Sequence, residues 1–389
     1  MWRLLKFVSF AVIFLVLNST AYGSMPNAEA MQESGKLQTK VIGKSGIETP
    51  ILLTDPAIAD HDIGNVLFTI SNFGQYGLAP TVLNPIWDGV GLKMPQTGTN
   101  FLFEGALLIG DGPTRVTNGA RDEGENLGDD FIADSDIELF EPGSFADQEY
   151  HTSYNDDNAL NPLDILVAQE SYAFSSDPDD DYVIIEYTIT NTGGEALEGV
   201  LVAHYEDWDM PWDVASDRVN FDRSRNLGYQ YNGNDYRGQQ ILSDLGVFSF
   251  KALDNAAEVY PPRFTMADKW DYMNAGTADT AITSMMDCSI MITTGPYDIA
   301  PGESVVAAFA ILGGNGLADL QANADAAMEA YRVPVEEIVY FEDFDSGMGI
   351  WAGEWGLATN HYHSPPNSLA DSPVGNYANE DTVVVETTE

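Results

Sequence analysis

Hydrophobic positions in this chain fall into short runs broken by Gly, Pro, Asn and Asp, and the best-defined runs alternate with a period of two. Residues 182–213, YVIIEYTITNTGGEALEGVLVAHYEDWDMPWD, show this most clearly. Val183, Ile185, Tyr187 and Ile189 fall on one face of a strand; Ile184, Glu186, Thr188 and Thr190 make the other face mostly polar. The segment 191–195, NTGGE, supplies a turn, because Asn and Gly accept positive φ at little cost. Residues 200–205 predict a returning strand, so the pair reads as a hairpin whose apolar face must pack on another sheet. Further strands are expected at 66–70, 101–110, 227–231, 246–250, 289–293 and 305–312, with turn residues between them. The fold class is therefore all-β: an antiparallel β-sandwich, on the scale of a large two-sheet supersandwich.

One segment has a different period. Leu317, Leu320, Ala324, Ala327, Met328 and Tyr331 recur at helical spacing and predict a helix over 317–332. Asp319 near its start and Arg332 at its end suit the helix dipole, and Pro334 stops it. Its one-sided apolar stripe caps a sandwich spanning 51–335. By contrast, 123–164 has few apolar runs and many acids, Asp129, Asp130, Asp134, Asp136, Asp156, Asp157 and Asp164 among them. It reads as a long irregular stretch, either ion-bound or a surface excursion.

The chain opens like a secretory leader. Arg3 and Lys6 precede an apolar run over 7–17, too short to span a bilayer, and 21–23 (AYG) offers a small-x-small cleavage site. Residues 1–23 are thus expected to be removed and 24–50 to form a flexible lead-in. No later apolar run has spanning length, so no membrane span is expected in the mature chain, which is read as secreted. Cys288 is the only cysteine, which excludes an internal disulfide and points to a small buried apolar residue.

Acidic residues number 61 against 16 basic ones, a formal charge of −45. Nucleic acid and anionic membrane surfaces are poor partners for such a chain. Hydrophobic residues at 44% rule out a disordered acidic tail. A solvated surface or several calcium sites remain, and secretion favours calcium because weak extracellular sites still fill.

The acids concentrate at Glu206, Asp207, Asp209, Asp213, Asp217 and Asp222, with Arg218 the fixed cation in that span, and again at Asp177, Asp179, Asp180 and Asp181. Two carboxylates about 4 Å apart repel by roughly 4 kcal/mol at an effective dielectric near 20. They either splay into water or share a cation, and hard oxygen ligands suit Ca²⁺. Asp207, Asp209, Asp213, Asp179 and Asp181 are the candidate ligands, though neither cluster has EF-hand spacing. Glu186, Glu206, Asp207 and Asp209 beside Trp208 and Trp212 also hold the parts of a sugar site, in which Trp stacks on a ring and paired carboxylates act on the bond. Against this stands the plainer reading of acids and Trp at a strand end. His361 and His363 share a strand face but lack a third ligand for zinc. No HExxH, GxSxG, Walker or Rossmann motif occurs.

Two stretches resemble known families. Residues 340–379 carry Phe344-Asp345-Ser346-Gly347, Trp351, Trp355, His363-Ser364-Pro365-Pro366, Ser368-Leu369, Asp371-Ser372-Pro373 and Gly375-Asn376-Tyr377. They resemble the opening strands of MAM-like jelly-roll domains on secreted bacterial peptidases of the immune inhibitor A type. That implies an incomplete jelly-roll over 336–389, as in a fragment of a longer protein. Residues 165–213 and 295–331, with Ser171-Tyr172-Ala173-Phe174, the 186–193 run EYTITNTG, Asp207-Trp208-Asp209, Gly295-Pro296 and the 301–304 run PGES, resemble a repeated feature of large secreted bacterial proteins with C-terminal sorting signals. This implies an extracellular surface or matrix role and no chemistry. The expected function is a non-catalytic, calcium-stabilised sandwich of a surface or adhesion protein, with an extracellular glycan or protein as partner. The alternatives are a carbohydrate-binding or carbohydrate-active module at Trp208 and Trp212, or the accessory region of a secreted peptidase.

Overall fold

The computed structural model describes residues 54–210, 214–278 and 280–332, together with the backbone of four short strands between 351 and 387. The chain divides into two compact units, 1–332 and 333–389. In the second, Trp351–Ala352 pairs antiparallel with Glu386–Thr387, and Gly356–Ala358 with Ser368–Ala370.

The first unit is an antiparallel sandwich of two large sheets. In chain order its strands are β1 (Ile58–His61), β2 (Leu67–Ser71), β3 (Gln75–Tyr76), β4 (Leu92–Lys93), β5 (Leu102–Gly112), β6 (Arg115–Asn118), β7 (Ile132–Ala133), β8 (Glu138–Phe140), β9 (Gln148–Asn155) and β10 (Ile165–Ala173). There follow β11 (Tyr182–Asn191), β12 (Leu197–Trp208), β13 (Asp217–Asp222), β14 (Leu227–Asn232), β15 (Asp235–Ile241), β16 (Ser249–Asp254), β17 (Ile282–Met286), β18 (Cys288–Ile299) and β19 (Ser304–Asn315). The nine-stranded sheet runs β1-β2-β3-β5-β12-β18-β16, with β4 on β2 and β6 on β5. The ten-stranded sheet runs β17-β13-β14-β15-β19-β11-β10-β9-β7, with β8 on β9. The all-β sandwich expected from the alternation is the observed architecture.

The expected hairpin is corrected. β11 pairs with β10 and β19, whereas β12 pairs with β5 and β18, so the 191–197 turn carries the chain from one sheet to the other. The β18–β19 connection makes the same crossing, and the two turns are tied together: Asn191 N–H donates to the Glu303 carbonyl and Gly302 N–H to the Asn191 carbonyl. The physical reason lies in β12 itself. From Val200 to Trp208 every residue is buried, which requires a central strand covered on both faces. The inward face of β11 matches the alternation: Val183, Ile185, Tyr187 and Ile189 join the inter-sheet core with Val200, Val202, Phe309 and Ile311.

Each sheet also has a covered outer face. α2 (Leu317–Arg332) spans the expected helix and buries Leu320, Ala324 and Ala327 with Ile184, Ala308, Ala310 and Leu312. An unexpected helix, α1 (Met266–Met273), covers the other sheet, where Met273, Phe264 and Val259 pack with Leu201, Ala203 and Tyr205. Its start is written locally: Thr265 and Asp268 form a reciprocal capping box. The stretch 123–164 is likewise more ordered than its composition suggested, since it contains β7, β8 and β9. Asp156 in it is fully buried, accepting from Thr117 Oγ1 and the amides of Leu163 and Ile165. Cys288 is buried, as expected.

Candidate functional site

The acid-rich end of β12 is sorted by strand alternation into two environments. His204, Glu206 and Trp208 point between the sheets. Tyr205 and Asp207 point outward, beneath the segment that carries α1. On the inner side Trp208 is 0% exposed and its Nε1–H donates to Glu206 Oε2 at 2.8 Å. Tyr76 OH donates to Glu206 Oε1 at 3.3 Å. Burial pushes the Glu206 carboxyl up to about 8 against the opposing pull of those two donors. His204 stacks on Phe309 with centroids 3.9 Å apart, and its Nε2 meets Tyr187 OH at 2.9 Å. Burial pushes its imidazole down to about 3.

The outer side is organised by a residue far away in sequence. Arg121 is 2% exposed and lies between two carboxylates: Nε donates to Glu104 Oε2 at 2.5 Å and Nη2 to Asp207 Oδ2 at 2.6 Å. Its backbone N–H also donates to Glu104 Oε1. Asp207 Oδ1 accepts from Asn255 Nδ2, which also donates to Asp287 Oδ1 at 2.6 Å. Asn255 Oδ1 accepts from Ser289 Oγ, and Tyr260 OH donates to Asp287 Oδ2 at 2.5 Å. One guanidinium thus serves a group of carboxylates. Burial, then Asp209, Asp287 and Glu104, push Asp207 up to about 7 although Arg121 opposes this. Burial and Asp287 push Asp209 up to about 6.

The expected site residues are distributed as follows. Asp207 and Asp209 share this cluster. Asp207 has both oxygens engaged, and the cation beside it is Arg121 rather than Arg218, which lies against Tyr231. Asp179 and Asp181 lie in the β10–β11 connection of the other sheet, where Asp179 Oδ1 accepts from Tyr182 OH and burial raises the Asp181 carboxyl. Asp217 is fully buried and accepts from the Met210 amide; Asp222 caps a short 3₁₀ turn and pairs with Arg225. Trp208 offers no exposed ring to a sugar. Trp212, Asp213, His361 and His363 lie outside the described residues. Among the described residues no three His, Cys, Asp or Glu side chains are grouped as a metal ion requires, and no helix is long and apolar enough to cross a membrane. Beside the cluster, Gln75, Tyr76, Asn84, Phe103 and Glu104 help line a cleft. Arg121, Glu104, Asn255 and Asp287 had no local signal, because their contacts join segments 17 to 86 residues apart.

Fold and cluster together define an antiparallel two-sheet β-sandwich with an acid–arginine network buried under one face. No family model matches the sequence, and no curated relative does. Three solved structures align with parts of it at low similarity. A bacterial glucoamylase complexed with acarbose aligns over 76% of this chain and 37% of its own, at 10% identity and a TM-score of 0.43. An Escherichia coli K12 protein named for aldose 1-epimerase aligns over 67% and 99%, at 11% identity and 0.38. A Synechocystis sp. PCC 6803 protein aligns over 68% and 98%, at 8% identity and 0.35. The chain spans little more than a third of the glucoamylase's length, and likeness at this level says nothing about chemistry.

Proposed function

We propose that this chain is a non-catalytic β-sandwich module that works outside the cell, as a structural or adhesive part of a surface or matrix protein. The observation that carries this reading is the internal saturation of the acidic cluster. Asp207 is held by Arg121 and Asn255, Glu206 by Trp208 and Tyr76, and Trp208 is sealed between the sheets. These contacts support a packing role for the groups that looked most like a sugar-processing site. Secretion enters through the leader-like residues 1–23.

The test is a panel of glycoside substrates and a glycan array, run on the purified chain and on Asp207→Asn. The expected result is no turnover. Turnover that disappears in Asp207→Asn while the fold is retained replaces this reading with the carbohydrate-active one. Calcium is the second part of the proposal. Burial and neighbouring acids raise the Asp209 and Asp181 carboxyls, and a calcium ion beside them would favour their charged forms. Thermal unfolding with calcium and with chelator decides it, since an unchanged midpoint removes the ion from the account.

A further inference from the structure

Away from the Asp207 cluster, a buried lysine, an asparagine and an aspartate meet in an arrangement that nothing above uses. Lys269, on α1, is 3% exposed. Its Nζ lies 2.7 Å from Asn118 Oδ1 at the end of β6, and 5.0 Å from the centre of the Phe264 ring. Asn118 is itself buried, and its amide is fixed from the other side: both its backbone N–H and Nδ2–H donate to Asp130 Oδ2 at 2.9 Å. The second acceptor of Lys269 is the Ala120 carbonyl at 3.4 Å. No carboxylate makes an ion pair with it among the described contacts, although Glu104, Asp130, Asp122 and Glu123 act on it through space.

We propose that Lys269 and Asn118 join through an intramolecular isopeptide bond, with Asp130 relaying the proton. The lysine nitrogen is hydrogen-bonded to the oxygen carried by the side-chain carbonyl carbon, and buried neighbours hold both partners in place. Such pre-orientation is worth many orders of magnitude in effective concentration. In the step, neutral Nζ attacks Asn118 Cγ and a C–N bond forms. Asp130, as the neutral acid, gives its proton to Nδ2 and takes one from Nζ. The Cγ–Nδ2 bond breaks and ammonia leaves, with Asp130 returned to its starting state. No oxidant or cofactor is needed. Burial moves both groups toward the protonation states required, pushing the Lys269 amine down to about 8 and raising the Asp130 carboxyl. The bond would staple α1 and its flanking segment to the nine-stranded sheet, in a chain whose single cysteine allows no internal disulfide.

Intact-mass spectrometry of the denatured full chain tests this without relying on any variant. The expected mass is below the sequence mass, corrected for any leader removal, by one ammonia or about 17 Da. Protease digestion should release one branched peptide joining the segments around Asn118 and Lys269, which separates this bond from ammonia loss elsewhere. Lys269→Met and Asp130→Asn should each restore the full mass. A wild-type chain at its full mass overturns the proposal. So does a deficit that persists in Lys269→Met, whereas one that persists in Asp130→Asn overturns the relay role of Asp130.

Discussion

With Arg121 replaced by alanine, Glu104 and Asp207 would stay in place but lose the guanidinium that lies between them. Both carboxylates are buried, and Asp207 is already raised by burial and by its acidic neighbours. Breaking such a network by removing its arginine costs about 3–5 kcal/mol, because the charges left behind cannot reach water. Arg121→Ala is therefore expected to lower the denaturant midpoint sharply, and a loss under about 1 kcal/mol would show that the cluster is solvated in solution. Arg121→Lys should recover little of this. A single ammonium cannot reproduce the two directed bonds to Glu104 and Asp207.

At the scale of elements, α2 meets its sheet through small side chains. Ala324 and Ala327 are 0% exposed and share their packing layer with Ala308 and Ala310 of β19. Small residues on both sides let helix and sheet approach closely, so there is no slack for a larger chain. Ala324→Leu should cost about 1–3 kcal/mol by overpacking while leaving helix content intact. Far-UV circular dichroism combined with thermal unfolding checks both halves of that statement. The helix itself was legible because a 3.6-residue period is a local property. The inward face of β11 was legible for the same reason, and so in principle was α1, whose capping box is written in Thr265 and Asp268. Strand pairing was not. The turn at 191–195 looks the same whether it closes a hairpin or crosses between sheets, and what separates the two is burial of both faces of β12. The acidic concentration at 206–209 was likewise visible, but Arg121 was not, since nothing near Asp207 announces a cation 86 positions earlier.

For the whole molecule, the raised carboxyls and lowered imidazoles set how stability follows pH. Glu206, Asp207 and Asp209 hold their protons more tightly folded than unfolded, with values of about 8, 7 and 6 against 4.5, 3.8 and 3.8. Such groups contribute fully below their unfolded values, and that contribution is lost as pH rises through the folded ones. His61 and His204 act in the opposite sense. Pushed down to about 4 and about 3 from 6.5, they contribute above pH 6.5 and lose this as pH falls. Between pH 6.5 and 8.5 the raised carboxyls pull stability down, opposed near pH 6.5 by the half-protonated unfolded imidazoles of His61 and His204 and near pH 8 by the lowered Lys269 amine; the three carboxyls outweigh these and stability should fall. The formal charge of −45 adds surface repulsion at both pH values. Raising the salt should lift the thermal midpoint at both pH values while largely leaving their difference, because screening reaches surface charges far better than buried carboxyls. Glu206→Gln keeps an acceptor for Trp208 and cannot ionise, so the drop from pH 6.5 to 8.5 should be smaller in this variant than in the wild type. If the two curves fall in parallel, the buried carboxyl between the sheets is not the source of the alkaline loss.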